Sequence, residues 1–103
     1  MYARVTLCEI DLVRADVDEL LDRYRHEVLP EIQAQPGYEG MLVLVNDDGQ
    51  GMIVSLWSDE EALESTTPLA SGAIERFMTV FRAPPGRESY ELRLADVPSL
   101  AID

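Results

Sequence analysis

From Arg4 to Ile10 the chain alternates, with Val5 and Leu7 on one side and Arg4, Thr6 and Cys8 on the other. That period of two predicts a strand. Asp16 then has the form of a helix N-cap, with Glu19 three residues on, and Val17, Leu20, Leu21, Tyr24 and Val28 share one helical face. Pro30 should end or kink that helix near Leu29, with a further turn through Ile32, and Gln35-Pro36-Gly37 closes it. Tyr38 to Val45 reads as a second strand. Asn46 to Gly51 is turn chemistry of hairpin length, and Met52 to Trp57 is the returning strand. Ser58 with Glu61 forms a second capping box. Thr67-Pro68 breaks and restarts the helix, with Thr67 as cap and Pro68 at the first helical position. Ala70, Ile74, Phe77, Met78 and Phe81 recur at helical spacing up to Ala83-Pro84-Pro85-Gly86. A last strand is expected over Ser89 to Leu94, with Tyr90, Leu92 and Leu94 on one side.

The order is βαββαβ, a ferredoxin-like α+β domain with one antiparallel sheet and two helices to cover one of its faces. A sheet covered on one side should be polar on the other. Here Leu42 and Leu44 oppose Met41, Val43 and Val45, while Met52, Val54 and Leu56 oppose Ile53 and Trp57, so both faces are apolar. The second strand is an edge in this arrangement, and an exposed apolar edge invites aggregation. A homodimer packing sheet against sheet is the expected partner. The alternative is a C-terminal tail, Val97 to Ile102, folded back over that face. Residues 1–95 form the expected domain and 96–103 the tail.

Composition narrows the function. In 103 residues, 47% hydrophobic, 20 acidic side chains oppose 8 basic ones, for a formal charge of −12. Such a surface repels nucleic acid and anionic lipid, so neither is an expected partner. Every basic residue is arginine, which reads as genome composition and not as chemistry. The longest apolar run, Met41 to Val45, is too short to span a membrane, and Met1-Tyr2-Ala3-Arg4 lacks a signal-peptide layout. A cytoplasmic protein is expected. A single cysteine excludes an internal disulfide and a multi-thiolate metal site.

Two segments carry a resemblance. Gln35-Pro36-Gly37-Tyr38-Glu39-Gly40 and Trp57-Ser58-Asp59-Glu60-Glu61-Ala62-Leu63, with the hairpin between them, resemble the antibiotic biosynthesis monooxygenase family over roughly Tyr2 to Leu94. The resemblance implies a dimeric α/β barrel and oxygenation without metal, flavin or other cofactor. In that chemistry a phenol, anthrone or quinol loses a proton and its anion reduces dioxygen in an apolar pocket. The implied substrate pocket draws on Trp57, Thr6, Arg4, Tyr24, Phe77 and Phe81; no catalytic residue is assigned and no metal ligand is expected. Trp57 matches the family tryptophan at the end of strand three, with core packing as the other reading of it. Active members often carry Asn four positions before that tryptophan, and this chain has Ile53 there. A related branch degrades haem with an Asn on strand one and a His on the second helix. Here strand one offers Thr6 and Cys8, and Glu60 to Phe81 holds no histidine.

The remaining candidates read as structure. His26, the single histidine, falls opposite the apolar helix face, beside Asp22, and should face solvent. Cys8 has no charged helper in sequence and reads as a buried thiol. Arg4 lies on the side of Thr6 and Cys8. If that side lines the pocket it would stabilise an enolate or phenolate; otherwise it is a surface ion-pair partner. Asp59-Glu60-Glu61 and Asp47-Asp48 are helix-start and turn chemistry. The expected function is cofactor-independent monooxygenation of an aromatic or quinol molecule. The alternative is a non-catalytic homodimer that binds a hydrophobic metabolite, with haem degradation behind both.

Overall fold

A computed structural model describes residues 1–98 and 100. Residues 99 and 101–103, which include part of the expected tail, lie outside the described residues. The elements follow the expected order: β1 (Tyr2–Glu9), α1 (Val17–Glu27), α2 (Leu29–Gln33), β2 (Tyr38–Val45), β3 (Gln50–Trp57), α3 (Glu60–Ser65), α4 (Thr67–Phe77) and β4 (Gly86–Glu91). Asp16 caps α1 by accepting from the Glu19 amide at 3.1 Å. Pro30 separates α2 from α1, as its missing amide requires.

Four boundaries differ from expectation. The cap of α3 is Asp59, which accepts from the Ala62 amide at 2.8 Å, and not Ser58. Thr67 is the first residue of α4, whose N-cap position is Thr66, and neither side chain caps it. The helix ends at Phe77, a 3₁₀ turn follows over Met78–Val80, and Phe81 bridges to Ile10. The last strand lies three residues earlier than Tyr90, Leu92 and Leu94 suggest. Its position is set by pairing with β1, from Tyr2 opposite Glu91 to Leu7 opposite Gly86, and its polar sequence has no periodicity to show that.

The sheet order is β2-β3-β1-β4, antiparallel throughout, so β2 is an edge as expected. Directly paired residues share a face, and the register sorts the strands into rows. Towards the helices run Tyr38, Trp57 and Tyr2; Met41, Ser55 and Arg4; Val43, Ile53 and Thr6; and Val45, Gly51 and Cys8. The outer face carries Leu42, Val54 and Val5 in one row and Leu44, Met52 and Leu7 in the next. Leu7 and Leu44 are more than half exposed there. In the described part of the tail, Leu94 and Val97 also stand largely in solvent. The core forms on the helix side, where Val28, Ile32, Leu63 and Phe77 close around Trp57, which is 1% exposed.

Gly37 joins the two halves. Its φ of +85° suits glycine, and a Cβ there would sit 2.5 Å from that of Ala62. Its carbonyl accepts from the Ser58 amide at 2.8 Å, so the turn into β2 is bound to the turn out of β3.

Candidate functional site

Between the helix-facing rows of the sheet and helices α1 and α4 lies a cavity of about 110 Å³. Its walls are apolar because the rows that face it are Met41, Val43, Val45 and Ile53 from the sheet and Leu20, Leu21, Tyr24, Leu69, Ala73 and Phe77 from the helices. Gly51 adds no side chain opposite Cys8, where a Cβ would come within 2.9 Å of Sγ. All six residues named from sequence, Trp57, Thr6, Arg4, Tyr24, Phe77 and Phe81, border this space.

Trp57 packs edge-on against Tyr38, with ring centroids 5.8 Å apart, and donates from Nε1 to Ser55 Oγ at 2.9 Å. The acceptor is therefore a side-chain hydroxyl and not a backbone carbonyl. Ser55 is itself buried and borders the cavity. The sequence reading does not name it as a site residue, although it is the one polar member of β3's apolar run and shares a face with Trp57.

Arg4 is not a surface ion-pair partner. It is 6% exposed and turns under the α3–α4 junction. Nη1 donates to Thr66 Oγ1 at 3.1 Å, and Nη2 donates to Leu63 O at 2.8 Å and Thr67 Oγ1 at 3.0 Å. Thr66 Oγ1 in turn donates to Leu63 O at 2.7 Å. The physical reason is the short α3 helix, which ends at Ser65: the Leu63 carbonyl in its last turn accepts from the Thr66 amide at 3.2 Å and, having no further helical turn above it, also takes the Thr66 hydroxyl and Arg4. Nothing in the sequence pattern marks Thr66, because its role depends on a strand 62 residues away. Burial lowers the pKa of Arg4, and Arg87 across β4 lowers it further.

The hydroxyl of Tyr24 reaches only the Met41 sulfur, at 3.4 Å, a weak acceptor. Burial, with a smaller contribution from Tyr38, raises its pKa to about 12. The Cys8 thiol is buried, and burial raises its pKa too, which keeps it protonated and unreactive. His26 stands outside the cavity, mostly exposed, with Nδ1 2.7 Å from Asp22 O. Among the described lining residues Arg4 is the only charged one. Among the described residues no group of three His, Cys, Asp or Glu side chains is placed to hold a metal ion. No described helix is long and apolar enough to cross a membrane.

A ferredoxin-like α+β domain with an apolar cavity between helices and sheet is a fold shared by small-molecule enzymes and binding proteins alike. Residues 5–67 match the family model described as antibiotic biosynthesis monooxygenase, and the chain belongs to that family. Solved structures agree on the fold. A protein of unknown function from Nitrosomonas europaea, NE2512, superposes with a TM-score of 0.72 at 19% identity, covering 95% of this chain and 94% of its own. The monooxygenase ActVA-Orf6 of Streptomyces coelicolor, in complex with nanaomycin D, gives 0.71 at 18% identity, covering 95% and 92%. The haem degrader MhuD from Mycobacterium tuberculosis, with two haems in its active site, gives 0.67 at 18% identity, covering 94% and 100%. No curated protein matches the chain.

Proposed function

We propose that this protein is a cofactor-independent oxygenase acting on an aromatic phenol, anthrone or quinol, and that it works as a homodimer. The observation that carries the reading is the aromatic and aliphatic cavity beside Trp57 with one buried cation on its wall. Family membership and the likeness to a monooxygenase with a bound ligand support it. An apolar cavity shelters an ionised substrate from water, which is what direct reaction with dioxygen requires. For an anthrone, the methylene carbon releases a proton to solvent and its anion forms a C–O bond with dioxygen. The peroxide anion takes a proton back from solvent, and the hydroperoxide then loses water to leave a carbonyl, so one oxygen atom enters the product and the other departs in water.

Oxygen uptake tests this. With a panel of hydroxyanthrones and quinols, in the presence of a chelator, wild type consumes oxygen and Trp57→Phe does not. No uptake with any member sinks the enzymatic reading.

One observation favours the second reading, a non-catalytic binder of a hydrophobic metabolite. The described walls hold no carboxylate or imidazole to accept a proton, and the indole N–H of Trp57 is already taken by Ser55. Binding without uptake would select it. Haem degradation draws no support from walls without an imidazole, and a haem titration lacking a Soret shift removes it.

A further inference from the structure

We propose that Arg4 anchors an anion: the ligand of this cavity carries a ring-bound anionic oxygen that docks on the guanidinium. The inference rests on the cavity being the ligand site, as proposed above. A charge taken out of water needs a counter-charge or a full set of hydrogen bonds. The protein partners of Arg4 are all neutral, one carbonyl and two hydroxyls. No ion pair is formed by Arg4 among the described residues; Arg82 and Arg87 form none either, but both are exposed, whereas Arg4 is the buried one, and Arg14, Arg23, Arg25, Arg76 and Arg93 each have one. In a chain with 20 carboxylates this is not for want of anions. The three bonds engage both Nη2 hydrogens and one on Nη1, so Nε–H and the second Nη1–H have no acceptor among the described residues.

The surroundings fit an oxygen anion on an aromatic ring. Ser55 is the cross-strand partner of Arg4 on β3, and Thr6 is the next residue on the same face of β1. Both are buried hydroxyls bordering the cavity. Arg87 from β4 is the charged group that acts on Arg4, and Cys8 from β1 and Tyr24 from α1 are the other titratable groups among the described residues bordering the cavity. Glu91 and Glu60 lie against Tyr2 instead. Arg87 adds positive potential, so a phenol or carboxyl bound here meets cation and not acid. Such a neighbour lowers an acid's pKa by about one to three units, which would promote ionisation of a phenol without a resident base.

The test uses 4-nitrophenol, 4-nitrobenzoate and the neutral isostere 4-nitroanisole, none of which needs oxygen. Expected are an apparent pKa of bound 4-nitrophenol about one unit below the free value and about tenfold tighter binding of an anion than of 4-nitroanisole. Preference for the nitrophenolate marks a phenolate ligand, and preference for nitrobenzoate a carboxylate. Arg4→Gln should lose about tenfold for the anions and leave 4-nitroanisole unchanged, while Arg4→Lys and Thr67→Ala keep the preference. Should Arg4→Gln not fold, the wild-type comparison and Arg4→Lys still decide. Equal binding of anion and isostere, or no binding of either, overturns the proposal, as does equal loss of all three ligands in a folded Arg4→Gln. Anion preference without oxygen uptake sinks only the oxygenase; uptake without anion preference sinks only the anchor.

Discussion

Tyr24 shows how much a single cavity residue contributes to stability. Its folded pKa of about 12 lies above the ordinary tyrosine value of 10.0 because the phenolate would be buried. The neutral form is therefore favoured by folding. That contribution is complete below pH 10 and is lost as the pH rises through 12. A two-unit difference corresponds to on the order of 2 kcal/mol. Urea unfolding from about pH 9 to pH 12 should show wild type losing on the order of 2 kcal/mol more than Tyr24→Phe. Identical losses would mean that Tyr24 titrates as it does in the unfolded chain. The same residue shows what sequence could reveal about the cavity. Tyr24, Phe77 and Phe81 were visible as apolar positions at helical spacing, and those faces meet at the cavity. Arg4 enters only through the family resemblance, and its partners are not legible, since they come from the α3–α4 junction and no local pattern says which face of β1 meets Trp57. Register decides that, and register is a long-range property.

At the scale of elements, the turn at Gly37 and the cap at Asp59 are adjacent in space and differ in kind. Gly37→Ala introduces both a left-handed backbone strain and a contact with Ala62, and should cost on the order of 2 kcal/mol or more in thermal or urea unfolding. Loss of less than half of that would mean the turn relaxes freely. Asp59→Ala removes the side-chain bond to the Ala62 amide and should cost about 1 kcal/mol, whereas Ser58→Ala should stay within about 0.5 kcal/mol. Equal costs would restore Ser58 as the cap. This pair also shows where pattern reading stops. Ser58-Asp59-Glu60-Glu61 contains two overlapping capping registers, and the choice falls to the strand end at Trp57, which leaves Ser58 still in the turn. β1, β2 and β3 were legible because each presents apolar residues to a buried face. β4 lies three residues before the position its apolar alternation suggests because every residue of it is exposed, so hydrogen bonding to β1 places it and hydrophobicity does not.

For the whole molecule, the outer face of the sheet argues for the proposed second copy. Its central rows, from Leu42 to Val5 and from Leu44 to Leu7, contain no charge; Glu9 and Glu88 lie at the margins among paired positions. A contiguous apolar patch of that kind marks an interaction surface. Each chain nevertheless carries a formal charge of −12, so association works against long-range repulsion. Added salt screens that repulsion without weakening apolar contact, so the dimer should tighten between about 20 mM and 150 mM salt. Sedimentation should show a species of twice the chain mass that dissociates on dilution. Leu44 is 53% exposed in one chain, so Leu44→Glu should leave the fold intact by circular dichroism. It also places a carboxylate in the middle of the contact and adds to the repulsion, and should weaken the dimer by about two orders of magnitude. Val13→Glu, a substitution of equal charge at a 96% exposed loop position away from the sheet, should leave the dimer unchanged apart from a small salt-sensitive term. Equal weakening by both variants would point to net charge, and not the sheet face, as what governs association. A folded Leu44→Glu that dimerises as wild type does would move the contact off these rows altogether.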